Sequence, residues 1–115
     1  MNKPLVAAGA INAAIAVAAG AFAAHGLRSR LEARALEVFE TGARYHMYHA
    51  LAMVLCGLLV MTKPGWTFQA GIVLFSGSLY ALALTDIKVL GAITPFGGLA
   101  FLAGWVWLAI SALRA

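Results

Sequence analysis

The side chains best suited to chemistry in this sequence lie at the ends of long apolar stretches. They are His25, Tyr45, His49, Tyr80 and Thr94. Histidine titrates near neutral pH and binds metals, and the hydroxyls of tyrosine and threonine donate and accept hydrogen bonds. Because consecutive membrane helices alternate in direction, all five fall on the same side of a bilayer. We therefore expect a polar site near one leaflet, suited to a lipid head group, a quinone or an anion.

Two other interpretations of these residues stay open. One is purely structural, because polar groups at helix ends satisfy free backbone groups and tyrosine is common at membrane interfaces. In the other, His25, His46 and His49 relay protons or bind metal ions. A closed metal site needs about four ligands, and the only cysteine is Cys56. The sequence therefore assigns no metal and no cofactor.

No recognised catalytic motif accompanies these residues. The sequence has no phosphate-binding loop, no dinucleotide-binding glycine pattern, no His-Glu-x-x-His and no Gly-x-Ser-x-Gly. A serine nucleophile within Phe75-Ser76-Gly77-Ser78, with His49 as base, is one arrangement to weigh. Small residues at this spacing are more typical of helix packing. We therefore expect a protein that is not an enzyme, with no catalytic residue assigned.

Four mostly apolar stretches must position these side chains. They predict transmembrane helices over residues 4–25, 45–62, 66–85 and 93–113. A hydrocarbon core about 30 Å thick requires roughly 20 such residues per helix. The chain is 63% hydrophobic and 10% charged, whereas soluble domains carry about 25% charged residues. The predicted fold class is all-α, a four-transmembrane-helix bundle that forms one integral membrane domain over residues 1–115.

The polar stretch between the first two apolar segments predicts one further helix. Leu27, Leu31, Ala35 and Val38 share one side of a helical wheel, and charged residues occupy the other side. This pattern is typical of an amphipathic helix that lies on the membrane surface. We expect such a short interfacial helix over residues 28–43, between helices 1 and 2.

Turn and packing signals predict where the helices end and how they meet. Lys63-Pro64-Gly65 predicts a tight turn between the second and third helices, and Thr94-Pro95 predicts the start of the fourth. Asn12, near the middle of the first helix, predicts an interhelical hydrogen bond. Gly9 and Ala13 belong to a row of small residues that favours close packing, either within the bundle or in a homo-oligomer.

The charge distribution limits the partners and the orientation. The net charge of +4 comes from scattered residues, so we expect the lipid bilayer as partner and no nucleic acid. Positive residues are more numerous at one set of helix ends than at the other: Arg28, Arg30, Arg34, Arg44 and Lys88, against Lys3, Lys63 and Arg114. This bias predicts that the first set faces the cytoplasm.

Four sequence blocks carry a resemblance to a known family. They are Gly20–Leu27, Thr41–Tyr45 followed by His49–Ala52, Leu74–Tyr80, and Thr94–Gly98 with Gly104-Trp105. Together they resemble the domain-of-unknown-function 423 family, the YgdD-like bacterial membrane proteins, over essentially the whole chain. The resemblance implies a four-helix integral membrane protein, usually of the bacterial inner membrane, and it implies no activity.

The family pattern and the residue chemistry together lead to a functional hypothesis. The motif positions include His25, His49, Tyr80 and Thr94, whereas His46 lies outside the pattern. This disfavours a site built from three histidines. We hypothesise a non-enzymatic binding, assembly or membrane-organising protein, whose partners include a lipid, a quinone, an ion or a second copy. The alternative is a small transporter or channel component for protons or metal ions.

Overall fold

Four long helices follow one another through the computed structural model, which describes residues 1–115. They are α1 (Lys3–Leu27), α2 (Ala33–Leu59), α3 (Thr62–Thr85) and α4 (Leu90–Arg114). The last turn of α1, Ala23–Leu27, and the middle of α3, Ile72–Gly77, are wound as π-helix. No residue is in a strand, so the all-α prediction is confirmed.

Three of the four helices are long and apolar enough to cross a membrane. These are α1, α3 and α4, of 25, 24 and 25 residues. At about 1.5 Å per residue, each is longer than the roughly 30 Å hydrocarbon core. The 27-residue α2 is not among them, because its middle carries the polar run Tyr45–His49 and its first half carries charges. The polar run thus belongs to the one long helix that does not meet the hydropathy expected of a membrane span.

The segments expected as an interfacial helix and a second span form one continuous helix. Residues 28–32 are turn and bend, and α2 runs without a break from Ala33 to Leu59. No proline interrupts this segment, and Gly42 alone costs a helix only about 1 kcal/mol. At the expected break, Thr41 donates to the Glu37 carbonyl and Arg44 donates to Thr41. The structure therefore contains no separate amphipathic helix over residues 28–43.

The hairpin between α2 and α3 is present, but its turn lies earlier than expected. Val60 has a left-handed backbone (φ 58°), and its N–H donates to the carbonyls of Cys56 and Gly57. Because α3 begins at Thr62, Lys63-Pro64-Gly65 fills its first turn. Proline is tolerated there because amide groups of the first turn have no intrahelical acceptor.

The fourth helix also begins earlier than Thr94-Pro95 indicated. It starts at Leu90. The turn that leads into it is tight, because the amides of Leu90, Gly91 and Ala92 donate to carbonyls three residues earlier. Pro95 therefore lies inside α4 and Thr94 is not its N-cap. Instead the Thr94 hydroxyl bonds within the bundle, to the Leu90 carbonyl and the Ser78 hydroxyl. That tertiary contact was not visible in the local sequence.

Glycines let neighbouring helices approach at backbone distance. A Cβ atom placed on Gly9 of α1 would lie 2.8 Å from the Val54 nitrogen and 2.9 Å from the Ala50 oxygen of α2. A Cβ on Gly97 of α4 would overlap the Phe75 nitrogen of α3. The small-residue packing expected at Gly9 is therefore observed inside the bundle. Such contacts are how helices gain packing energy in lipid, where no hydrophobic force drives them together.

The order of packing follows the order of the chain. α1 packs on α2, α2 packs on α3, and α4 packs mainly on α3. Leu5, Met53, Cys56 and Phe68 form the fully buried centre. At one end of the bundle the Asn2 amide donates to the Gly57 carbonyl, so the start of α1 lies beside the end of α2. The helix ends that carry His25, Thr85 and Leu90 lie at the opposite end.

Candidate functional site

A groove between α2 and α4 brings together two of the residues singled out from the sequence. Tyr45 and His49 lie on its α2 side, and Phe75 of α3 also lines it. Its volume is about 850 Å³, within the range of roughly 300–1,000 Å³ of small-molecule sites. Ten residues line the groove: Tyr45, Tyr48, His49, Phe75, Pro95, Gly98, Leu99, Phe101, Leu102 and Trp105.

His49 is held rigidly in the wall of this groove. Its Nδ1 donates to the Tyr45 carbonyl oxygen at 2.7 Å, and its Nε2 accepts from the Trp105 indole N–H at 3.0 Å. These two bonds require the neutral Nδ1–H tautomer. The imidazole also stacks on Phe101, with ring centroids 3.5 Å apart and planes 7° from parallel. Because both nitrogens are occupied, His49 serves this groove as an aromatic wall and not as a base.

Two tyrosine hydroxyls are the free polar groups of the groove. Tyr45 and Tyr48 are 38% and 52% exposed, and neither hydroxyl bonds to another protein group. The Tyr45 ring is fixed by contacts with Phe75, at a centroid distance of 5.0 Å, and with Tyr48, at 5.5 Å. The groove thus has aromatic walls and an aliphatic side on α4, and it is lined on α2 by two tyrosines whose hydroxyls have no protein partner.

A second polar cluster lies inside the bundle, where α1, α2 and α3 meet. His46 Nε2 lies 2.9 Å from Asn12 Oδ1, and His46 Nδ1 lies 2.9 Å from the Tyr80 hydroxyl. Asn12 Nδ2 donates to Gln69 Oε1 at 2.8 Å and to the Ala8 carbonyl at 2.9 Å. The expected interhelical hydrogen bond of Asn12 is therefore present. We call Asn12, His46, Gln69 and Tyr80 the polar lock.

With a neutral imidazole, the donors and acceptors of the polar lock fit only one placement of the His46 proton. The Asn12 amide oxygen can only accept, so His46 Nε2 must carry the proton. In a neutral ring His46 Nδ1 then accepts from the Tyr80 hydroxyl. All the bonds of the lock are satisfied with no net charge. Satisfied polar networks of this kind specify one register of the packed helices.

One buried hydroxyl near this cluster has no partner. Ser76 lies one turn before Tyr80 in the π-helical part of α3, is fully buried, and its Oγ makes no hydrogen bond. Ser78 differs, because its hydroxyl bonds to the Phe75 carbonyl and to Thr94. No base contacts Ser76, since both nitrogens of His49 are bonded elsewhere. The serine–histidine pairing weighed from the sequence is not formed.

The five candidate residues therefore separate into different environments. Tyr45 and His49 share the groove, Tyr80 belongs to the polar lock, and Thr94 pairs with Ser78. His25 is exposed at the end of α1 and makes no side-chain hydrogen bond. The five residues do not line one pocket as expected. Their helix ends lie at the same end of the bundle, but their side chains project in different directions around the helix axes. No group of three or more His, Cys, Asp or Glu side chains is placed to hold a metal ion.

Three residues of these clusters are not among the predicted site residues. His46 enters the sequence analysis only as part of a proton-relay or metal site, although its spacing of three residues from His49 puts it on a neighbouring face of α2. Gln69 was the one uncharged amide of the third apolar segment and could have been paired with Asn12. Trp105 lies 56 positions from His49, and no local signal in the sequence indicates the bond between them.

Comparison with known proteins identifies the relatives of this chain. Residues 19–98 match the family described as "Protein of unknown function (DUF423)". The chain is 48% identical to the UPF0382 membrane protein YwdK of Bacillus subtilis, over 97% of this chain and 98% of that protein. It is 46% identical to the UPF0382 membrane protein SSP2132 of Staphylococcus saprophyticus, over 97% and 98%. No solved structure matches it.

These matches extend over nearly the full length of both partners, so they concern the whole helical chain and not a fragment of it. They agree with the resemblance carried by the sequence blocks at His25, His49, Tyr80 and Thr94. The relatives are named as membrane proteins, in keeping with three helices able to cross a bilayer. The chain belongs to the DUF423 family of membrane proteins of unknown function.

Proposed function

We propose that this protein is a four-span protein of the bacterial inner membrane that binds a lipid-soluble, ring-containing molecule in the groove between α2 and α4. It acts by binding and not by catalysis. The observation that carries the proposal is the combination of a groove of about 850 Å³, a locked aromatic wall at His49 and two free tyrosine hydroxyls.

The aromatic lining of the groove favours a flat ring over a lipid tail. Acyl chains fill any apolar groove, but they gain nothing from aligned aromatic faces. Here His49 is stacked on Phe101, and Phe75 lies 5.4 Å from Phe101 between ring centroids. Offset aromatic stacking adds about 0.5–1.5 kcal/mol beyond burial of the area itself. A conjugated ring therefore gains binding energy that a saturated chain does not.

The free hydroxyls favour a ring that carries hydrogen-bond acceptors. Tyr45 and Tyr48 line the groove, and each has a hydroxyl without a protein partner that can donate one hydrogen bond to a bound molecule. A quinone fits this chemistry, because it joins a flat ring with two carbonyl acceptors to an apolar side chain that extends into lipid. Leu99 and Leu102 of α4 line the side of the groove along which such a chain would lie.

Tryptophan fluorescence tests this binding site. Trp105 lines the groove whereas Trp107 does not, yet the two are 41% and 42% exposed. We compare W66F/W107F, which keeps only Trp105, with W66F/W105F, which keeps only Trp107, in lipid nanodiscs titrated with a decyl-substituted benzoquinone. Saturable quenching of Trp105 and linear, collisional quenching of Trp107 are expected. The proposal is overturned if both tryptophans quench linearly and to the same extent.

The tyrosine hydroxyls have their own expected effect in the same assay. Replacing both, Y45F/Y48F, should raise the half-saturation concentration for Trp105 quenching by about thirtyfold, because two lost hydrogen bonds at about 1 kcal/mol each amount to about 2 kcal/mol. The aromatic walls stay in place, so the fold should not change. An unaltered half-saturation concentration would show that the hydroxyls do not bind the quinone.

The four-span topology requires that α2 cross the membrane although its middle is polar. In support, His46 is buried in the polar lock and His49 is buried against α4, so the two imidazoles of the polar run face protein and not lipid. Polar groups within spans are tolerated when they face the bundle interior and find partners. The apolar remainder of α2 extends from Ala50 to Leu59.

Cysteine labelling checks this topology. In a C56A background, the single variants K3C, K63C and R114C should all react with a membrane-impermeant maleimide from the same side. With α2 lying outside the bilayer, Lys63 would be on the side opposite to Lys3. Labelling of K3C and K63C from opposite sides would therefore contradict the four-span arrangement.

A proton-conducting role is the alternative, and one observation favours it. The polar lock links Tyr80, His46, Asn12 and Gln69 by hydrogen bonds through the bundle. This hydrogen-bonded path passes through the side-chain amide of Asn12. That amide neither gains nor loses a proton near neutral pH, which weighs against a proton relay. Proteoliposomes with an internal pH dye test it: proton flux that is lost in His46→Leu would support transport over binding alone.

A further inference from the structure

A second groove lies at the end of the bundle that carries most of the positive charge. It is formed where the turn between α1 and α2 meets the end of α3, and its volume is about 550 Å³. We propose that this groove binds the head group of an anionic phospholipid. The inference concerns a different surface from the α2–α4 groove, and neither site depends on the other.

The charges around the groove favour an anion. Arg30 and Arg34 line it, and neither guanidinium makes a salt bridge or a side-chain hydrogen bond. Lys88 is already paired with Asp86 at 2.7 Å. Glu32 is the only other carboxylate in the lining. Two unpaired guanidinium groups therefore face one carboxylate, and a guanidinium fork matches the geometry of phosphate oxygens.

Part of the groove lining is apolar, as a phospholipid requires. Leu31 and Val38 line it together with Ala83 of α3. Ala83 belongs to the small core cluster that includes Ala23 and Phe39, and Leu31 and Val38 pack against that cluster. A free inorganic anion would gain nothing from these apolar side chains, whereas the glycerol and upper acyl carbons of a lipid would be removed from water by them.

The position along the bundle agrees with a head group and not with a tail. The groove lies where the apolar helix α3 ends at Thr85, which is the level at which a span leaves the hydrocarbon core. It also lies at the end richer in lysine and arginine, which the positive-inside rule assigns to the cytoplasm. Basic residues next to a span are the usual recognition elements for anionic lipids at that surface.

Native mass spectrometry from mixed nanodiscs of phosphatidylglycerol and phosphatidylcholine provides the test. The wild-type protein should retain phosphatidylglycerol at least fivefold over its share of the mixture. R30Q/R34Q should lose this enrichment. The matched control K3Q/R114Q removes the same charge at the opposite end and should keep it. Equal enrichment in both double variants would overturn the proposal.

Two further measurements separate the lipid from other occupants. Circular dichroism before and after heating establishes that R30Q/R34Q is folded as the control is, which is expected because both arginines are exposed. Inorganic phosphate at millimolar concentration should not displace the retained lipid. Displacement by phosphate, or retention of phosphate by the lipid-free protein, would mean a simple anion site and would contradict the choice of a lipid.

Discussion

Replacing Gly97 by alanine should destabilise the bundle by about 3 kcal/mol. A Cβ at this position would overlap the Phe75 nitrogen and lie 2.7 Å from the Leu74 carbonyl carbon and the Phe75 Cα. All three atoms are backbone of the π-helical part of α3, so no side chain can rotate away. α4 must therefore move off α3. Overpacking of a rigid contact costs about 1–3 kcal/mol and occasionally more.

The neighbouring glycine provides a matched control for this substitution. At Gly98 the nearest atom to an added Cβ is Phe75 Cδ2, 3.9 Å away, and at Gly20 nothing lies within 4 Å. Gly98→Ala and Gly20→Ala should leave stability unchanged or raise it slightly, because alanine favours helix over glycine. Unfolding in detergent by added dodecyl sulfate measures all three. Equal midpoints for Gly97→Ala and Gly98→Ala would contradict the backbone contact.

The Gly97 contact also controls the proposed ligand groove. Phe101 and Trp105 lie one and two turns after Gly97 on α4, and both contact His49 of α2. If α4 moves away from α3, the bond from Trp105 to His49 is lost with it. Gly97→Ala that remains folded should therefore also lose saturable quinone quenching of Trp105, whereas Gly20→Ala should keep it.

Substitution of Asn12 by leucine should cost about 2 kcal/mol. It removes the acceptor of the His46 Nε2 proton and the donor to Gln69 while keeping the branched shape of the side chain. Each buried group left without a partner costs about 1–3 kcal/mol, and hydrogen bonds between membrane helices average about 0.6 kcal/mol with maxima near 1.7. The same detergent unfolding measurement gives the loss.

A double-mutant cycle separates the polar lock from simple packing effects. His46→Leu alone should cost a similar amount, because it leaves the Asn12 oxygen and the Tyr80 hydroxyl unpaired. The double variant N12L/H46L should cost at least about 1 kcal/mol less than the sum of the single changes, since the second change removes a group that is already unpaired. Strict additivity would mean that the two side chains do not interact.

The polar lock explains how an Ala-rich first helix finds one position in the bundle. α1 is apolar around its circumference, with Asn12 as the one polar side chain in its middle. Packing of small residues alone allows several sliding positions of nearly equal energy. A single amide that must meet both His46 and Gln69 removes that freedom, because any shift by one turn leaves polar groups unpaired in the interior.

Local properties of the chain were enough to predict three of the four helices and part of each cluster. The apolar runs predicted α1, α3 and α4 because hydrophobic length is a property of the segment itself. Tyr45 and His49 share a face because they are four residues apart in one helix, and the backbone carbonyl of Tyr45 fixes the His49 ring. The buried polar partner of Asn12 was likewise required by its place in an apolar helix.

The contacts between helices were decided only by the tertiary structure. Whether His25 or His46 enters the interior depends on the rotation of α1 and α2 about their axes, and neighbouring residues in the sequence do not determine that rotation. The bond from Trp105 to His49 joins side chains 56 positions apart. It depends on the close approach of α4 to α3 at Gly97. Where helices form is thus largely a local property of this sequence. Which side chains meet in a site depends on how the packed helices are rotated about their axes and how closely they approach.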